Sequence, residues 1–97
     1  MLNSRQRAQL RGMANGYETI FQIGKGGINE QLIKQVDEAL IARELIKLRI
    51  LETAPITVRQ AAEEIANATN SDVVQVIGSR FILYRESIDN KQITLVK

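Results

Sequence analysis

The stretch from Thr19 to Leu40 constrains this chain more than any other, because it sets three glycines in four positions between two segments of different periodicity. Ile20-Phe21-Gln22-Ile23 is short, apolar and strand-like. Beyond the glycines, Asn29 is suited to cap a helix, and Leu32, Ile33, Val36, Ala39 and Leu40 recur at helical spacing. Gly24-Lys25-Gly26-Gly27 therefore joins a strand to a helix N-terminus. A backbone without side chains can approach a partner closely. The helix behind it turns its free N–H groups and positive dipole end toward the loop. That order of elements is a known way of meeting phosphate, and Lys25 adds a mobile charge at the tip. The same glycines would equally serve a bare strand-to-helix turn.

The phosphate reading narrows by exclusion. A P-loop needs Gly-Lys-Ser/Thr, whereas Gly26 follows Lys25 here, leaving no hydroxyl for magnesium. A dinucleotide fingerprint needs a small residue where Asn29 stands and a larger parallel sheet than this chain can build. The G-x-x-G loop with which KH domains clamp nucleic-acid backbone remains.

The 97 residues suffice for one domain with a single core, spanning 1–97. With 44% hydrophobic and 25% charged residues, the composition is that of a folded globular chain and argues against disorder. Cysteine is absent, which excludes a disulfide framework and thiolate metal sites. Histidine is absent too, removing the commonest general base and metal ligand. No metal, cofactor or small-molecule substrate is expected. No apolar stretch stands behind the charges at Met1–Arg5, and no run reaches membrane-spanning length. A cytoplasmic location is the expectation.

Net charge is only +2 but unevenly spread. Residues 1–28 carry Arg5, Arg7, Arg11 and Lys25 against Glu18. Residues 50–72 carry Arg59 against Glu52, Glu63, Glu64 and Asp72, and the tail from Arg80 is again basic. One polyanion-facing side would produce that pattern, although such swings are common in small domains.

Around the loop, the pattern predicts a short first helix, capped by Asn3 or Ser4 and ending near Asn15-Gly16. Its apolar stripe is thin (Leu10, Met13, Ala14), and Arg7 and Arg11 lie one turn apart beside it. They form either a solvated face or a reach toward a ligand. Tyr17–Ile23 is expected as the first strand and Glu44–Leu51 as the next. In the latter, Lys47 and Arg49 share one face with Leu45 and Leu51, so that face opens to water or to RNA. Thr57-x-x-Gln60 has the form of a capping box, with Val58, Ala61, Ala62, Ile65 and Ala66 as the buried stripe behind it. Glu63 and Glu64 are adjacent on that helix and cannot converge on one atom as a catalytic pair. Asp72–Ile77 and Phe81–Arg85 read as a hairpin around Gly78-Ser79. Residues 92–96 are either a further strand or a tail laid along the sheet edge. The expected fold is α/β: an open-faced sandwich of order αβαβαββ, its four-stranded mixed sheet backed on one side by helices.

Ile23-Gly24-Lys25-Gly26-Gly27, Ala39-Leu40 leading into Glu44-Leu45-Ile46-Lys47, and Val74-Gln75-Val76-Ile77-Gly78 followed by Ile82-Leu83-Tyr84-Arg85 resemble the CRM domain, the chloroplast RNA splicing and ribosome maturation family, in its stand-alone bacterial YhbY-like form. The resemblance runs through nearly the whole chain. Asn15, where the family often has histidine, and Gly16–Thr19, which lacks its usual proline, depart from the pattern. The resemblance implies a fold like the C-terminal domain of bacterial translation initiation factor three. It also implies RNA binding through the G-x-x-G loop and nearby basic surface, with precursor large-subunit ribosomal RNA as partner during ribosome biogenesis. Matched by position, Gly24, Lys25, Gly26 and Gly27 form the family loop, while Lys47 and Arg85 fall on basic positions of its other motifs.

The expectation is a monomeric, non-enzymatic RNA-binding protein. Phosphates would dock on the amides of Gly26 and Gly27 and on the following helix N-terminus. Lys25, Arg7 and Arg11 would extend the track, with Lys47, Arg49 and Arg85 as further basic contacts. Only Tyr17, Phe21, Phe81 and Tyr84 are aromatic, too few for an extensive base-stacking platform. Two rivals stand beside this reading: a module that contacts a ribosomal protein or assembly factor, and an enzyme acting on nucleotides.

Overall fold

The computed structural model describes residues 2–97. Helix α1 (Ser4–Ala14) is capped by Asn3, whose side chain accepts from the Gln6 amide while the Gln6 side chain accepts from the Asn3 amide. Strand β1 is short (Phe21–Ile23), and helix α2 (Glu30–Arg43) begins at Asn29, whose side chain takes the Leu32 N–H. Strand β2 (Leu45–Ile50) follows, then α3 (Val58–Thr69), which opens with the expected Thr57/Gln60 capping box. Asn70 closes α3 in the left-handed conformation that asparagine tolerates. The chain ends its regular structure with the hairpin β3 (Asp72–Ile77) and β4 (Arg80–Tyr84).

The sheet order is β1-β2-β4-β3, with β1 parallel to β2 and the other pairings antiparallel. The α/β class, the αβαβαββ order and the four-stranded mixed sheet are as expected. On one face, Ile46, Leu48, Ile50, Phe81 and Leu83 pack with Val36 and Leu40 of α2 and with Ala61, Ala62 and Ile65 of α3. Alanines let α3 approach closely.

Three expectations change. Helix α1 does not join α2 and α3 but lies across the opposite face, where Leu10 and Ala14 cover Leu45, Val74, Ile82 and Tyr84. Those strand residues are apolar on both alternating faces, so the second face also needs cover. It is open only toward the far end of the sheet. The first strand starts at Phe21 instead of Tyr17, because the Tyr17 amide bonds back to the Ala14 carbonyl and the Tyr17 carbonyl accepts from Lys47 Nζ. Residues 92–96 form no strand. Their carbonyls and amides instead meet Gln6 and Gln9 of α1, and Ile93 is buried beside Leu10.

Glu44 holds this tail. It caps α2 at φ 65, a conformation that favours glycine, and its fully buried carboxylate accepts from the amides of Ser87, Gln92 and Ile93 at 2.8, 2.6 and 2.8 Å. Burial pushes its pKa up, but the three amides, aided by Lys91, outweigh that and hold the carboxyl below its ordinary value.

Candidate nucleic-acid interface

The glycine loop projects from the end of the sheet where β1 and β2 both finish. It is a tight turn: the Gly27 amide donates to the Gly24 carbonyl at 2.9 Å, placing Lys25 and Gly26 at the exposed corner. The glycines are not equivalent. Gly27 sits at φ +67, and a Cβ there would stand 3.3 Å from Pro55 Cγ, so the fold itself demands glycine. A Cβ on Gly26 would meet nothing within 4 Å, and its backbone has no positive φ. The turn explains Gly27 and leaves Gly26 unexplained.

The expected docking on the Gly27 amide conflicts with this geometry, since that N–H closes the turn. The helix N-terminus is also a poorer anion site than its position suggests. Asn29 already satisfies the Leu32 amide, and Glu30 brings a negative charge into the first turn. The Gly26 amide and Lys25 are what the loop offers.

Beside the loop lies the uncovered part of the sheet. Gln22 pairs with Arg49, one residue before Ile23, so Arg49 and then Lys47 extend the loop's surface along β2. Lys47 is partly committed, its Nζ donating to the Tyr17 carbonyl at 3.2 Å. Beside Tyr17–Thr19, ahead of the Ile20 amide that bonds the Lys47 carbonyl of β2, a groove of about 480 Å³ opens, lined in part by Tyr17, Glu18, Arg43 and Lys47. Arg7 and Arg11 lie on α1, over the same face but toward the other end. Arg11 is exposed, whereas Arg7 donates to the Val73 carbonyl beside the bulge in β3.

Arg85 stands apart from the rest. Its guanidinium bonds Asp37 Oδ1 at 2.6 Å, the Thr69 carbonyl at 2.7 Å and the Asp37 carbonyl at 3.1 Å, tying the end of β4 to α2 and α3. That network gives it a structural task. Arg80, which the sequence pattern did not single out, sits directly across the ladder from Arg49. Its place opposite Arg49 is set by the pairing of β2 with β4, elements about 30 positions apart whose register no local sequence signature fixes. Among the described residues no cluster of acidic side chains could hold a metal ion, and no helix is long and apolar enough to cross a membrane.

A mixed four-stranded sheet with a glycine turn and an acid-poor face beside it defines a class of small α/β domains, and comparison with known proteins makes that class specific. The CRS1 / YhbY (CRM) domain family matches residues 2–85. A Bacillus subtilis protein named "Probable RNA-binding protein YqeI" is 45% identical over 95 residues, covering 98% of this chain and 99% of its own. A Haemophilus influenzae "RNA-binding protein" is 29% identical over 90 residues, covering 93% and 91%. The solution structure of the hypothetical protein SAV1595 from Staphylococcus aureus, 49% identical, superposes with a TM-score of 0.82 over 99% of this chain and 100% of that one. This chain belongs to the CRS1/YhbY (CRM) domain family.

Proposed function

We propose that this protein binds RNA without catalysis, as a cytoplasmic monomer acting on precursor large-subunit ribosomal RNA during ribosome assembly. The observation that carries the reading is Gly26. It is a glycine that the fold does not require, at the exposed corner of a turn beside Lys25 and an acid-poor sheet face. A missing side chain there lets a phosphate reach the backbone amide. Relatives that carry the name RNA-binding protein support the same reading. Lys25 and the Gly26 amide hold one phosphate, Arg49 and Lys47 continue the track along β2, and Arg11 with Arg7 widens it on α1. Arg85 contributes by fixing the corner of the fold.

The test is a salt titration of binding to large-subunit ribosomal RNA fragments, comparing wild type with Lys25→Asp/Gly26→Asp after circular dichroism has established that both are folded. Loss of binding with a flatter dependence on log salt is the expected result. Wild-type-like binding would reduce the loop to a turn. Binding partners that persist after RNase and moderate salt would point to a protein partner.

A further inference from the structure

We propose that Arg80 and Arg49 together form a second phosphate-holding point, so that the RNA backbone crosses the strands from the glycine turn toward the β3–β4 hairpin. This rests on the RNA-binding reading and adds to it a residue and a path. Gln22, Arg49, Arg80 and Ile77 are successive partners in one row across all four strands. Directly opposed residues project on the same side of a sheet with their β-carbons about 5 Å apart, and like charges so placed repel. The row lies on the face away from α2 and α3, beyond the part that α1 covers.

No ion pair among the described residues neutralises these two arginines. The ion pairs among the described residues are Arg85–Asp37 and Lys91–Glu86, neither on this face. Strands β1, β2 and β4 contain no acid at all, and the one acid of β3, Asp72, pairs with Tyr84 at the other end of the ladder. Arg49 Nε is enclosed without a hydrogen-bond partner among the described residues. A folded domain that keeps two adjacent, unneutralised guanidinium groups is poised for an anion. Arginine forks match phosphate oxygens in pairs.

The surroundings favour a phosphodiester chain over an acidic peptide. The row begins one residue from the loop and ends at Ile77, an apolar side chain 57% exposed on which a ribose or base can rest. Arg80 is also held in place, because the Ser79 carbonyl accepts the Ile50 amide at 2.8 Å and seats the hairpin turn against the end of β2.

The experiment measures affinity and salt slope for a fluorescein-labelled large-subunit ribosomal RNA fragment with wild type, Arg80→Gln, Arg80→Lys and Lys25→Asp/Gly26→Asp, alongside melting temperatures. Arg80→Gln is expected to weaken binding about fivefold or more and to lower the log–log salt slope by about one. Arg80→Lys should keep the slope, and the melting temperature of Arg80→Gln should equal or exceed that of wild type. Unchanged affinity and slope in Arg80→Gln, with wild type binding normally, overturns the Arg80 site and leaves the RNA-binding reading standing. Absence of RNA binding by wild type removes both. Equal binding of poly-L-glutamate with the same dependence on Arg80 assigns the pair to an acidic protein partner and overturns the proposal.

Discussion

Gly26 and Gly27 are neighbours with opposite reasons for being glycine. At Gly27 an alanine would have to adopt φ +67 and press its methyl to 3.3 Å from the Pro55 ring. A left-handed backbone costs an ordinary residue about 1–2 kcal/mol, so Gly27→Ala should lower the urea midpoint measurably. At Gly26 the methyl would enter open space, and alanine there should leave stability unchanged or raise it by up to about 1 kcal/mol. RNA affinity should follow the reverse order, with Gly26→Ala impairing binding in a protein as stable as wild type. Urea denaturation paired with a binding isotherm on each variant reads both effects. Tyr84 shows a different single-residue economy: its hydroxyl is buried without a partner, and burial, then Glu44, Glu86 and Asp72, raise its pKa.

At the scale of elements, the junction between α2 and β2 governs the far end of the chain. Glu44 accepts three amides from residues 43 to 49 positions away and occupies a backbone conformation usually left to glycine. Glu44→Gln keeps the shape but turns an amide group toward amides it must accept from. Leaving buried donors unsatisfied should cost about 2–3 kcal/mol at neutral pH. Unfolded, this carboxyl titrates near its ordinary value of 4.5, and folded it titrates lower. Its stabilisation is therefore complete above the unfolded value and is lost as pH falls through the folded one. Urea midpoints for wild type and Glu44→Gln should differ at pH 7 and draw together in acid. None of this is legible locally. Asn3, Asn29 and Thr57 announce their helices because a cap and its partner lie three residues apart. Glu44 reads only as a polar residue before a strand, and the Asp37 partner of Arg85 lies 48 positions away. The glycine loop and the strands carrying Lys47 and Arg49 were likewise plain from spacing. Which face α1 covers, where the tail runs and which loop amide stays free all depend on contacts no short window contains.

Across the whole molecule, two apolar layers share one sheet but differ in how they are assembled. The layer beneath α2 and α3 joins elements that follow one another along the chain. The layer beneath α1 joins the first helix to the tail through bonds such as Gln6–Val96, Gln9–Thr94 and Val96–Gln9, which span 90, 85 and 87 positions. Closing so long a loop costs entropy before its contacts repay it, which places α1 and the tail late in folding. Last to arrive, they are the first to be lost. Leu10→Ala should remove about 2–5 kcal/mol almost wholly by speeding unfolding, whereas Leu48→Ala, beneath α2 and α3, should also slow refolding, a contrast that stopped-flow chevrons resolve. Release of the clasp at Glu44 should therefore let the first helix and the last residues come away together, while the sheet that carries the glycine turn stays assembled.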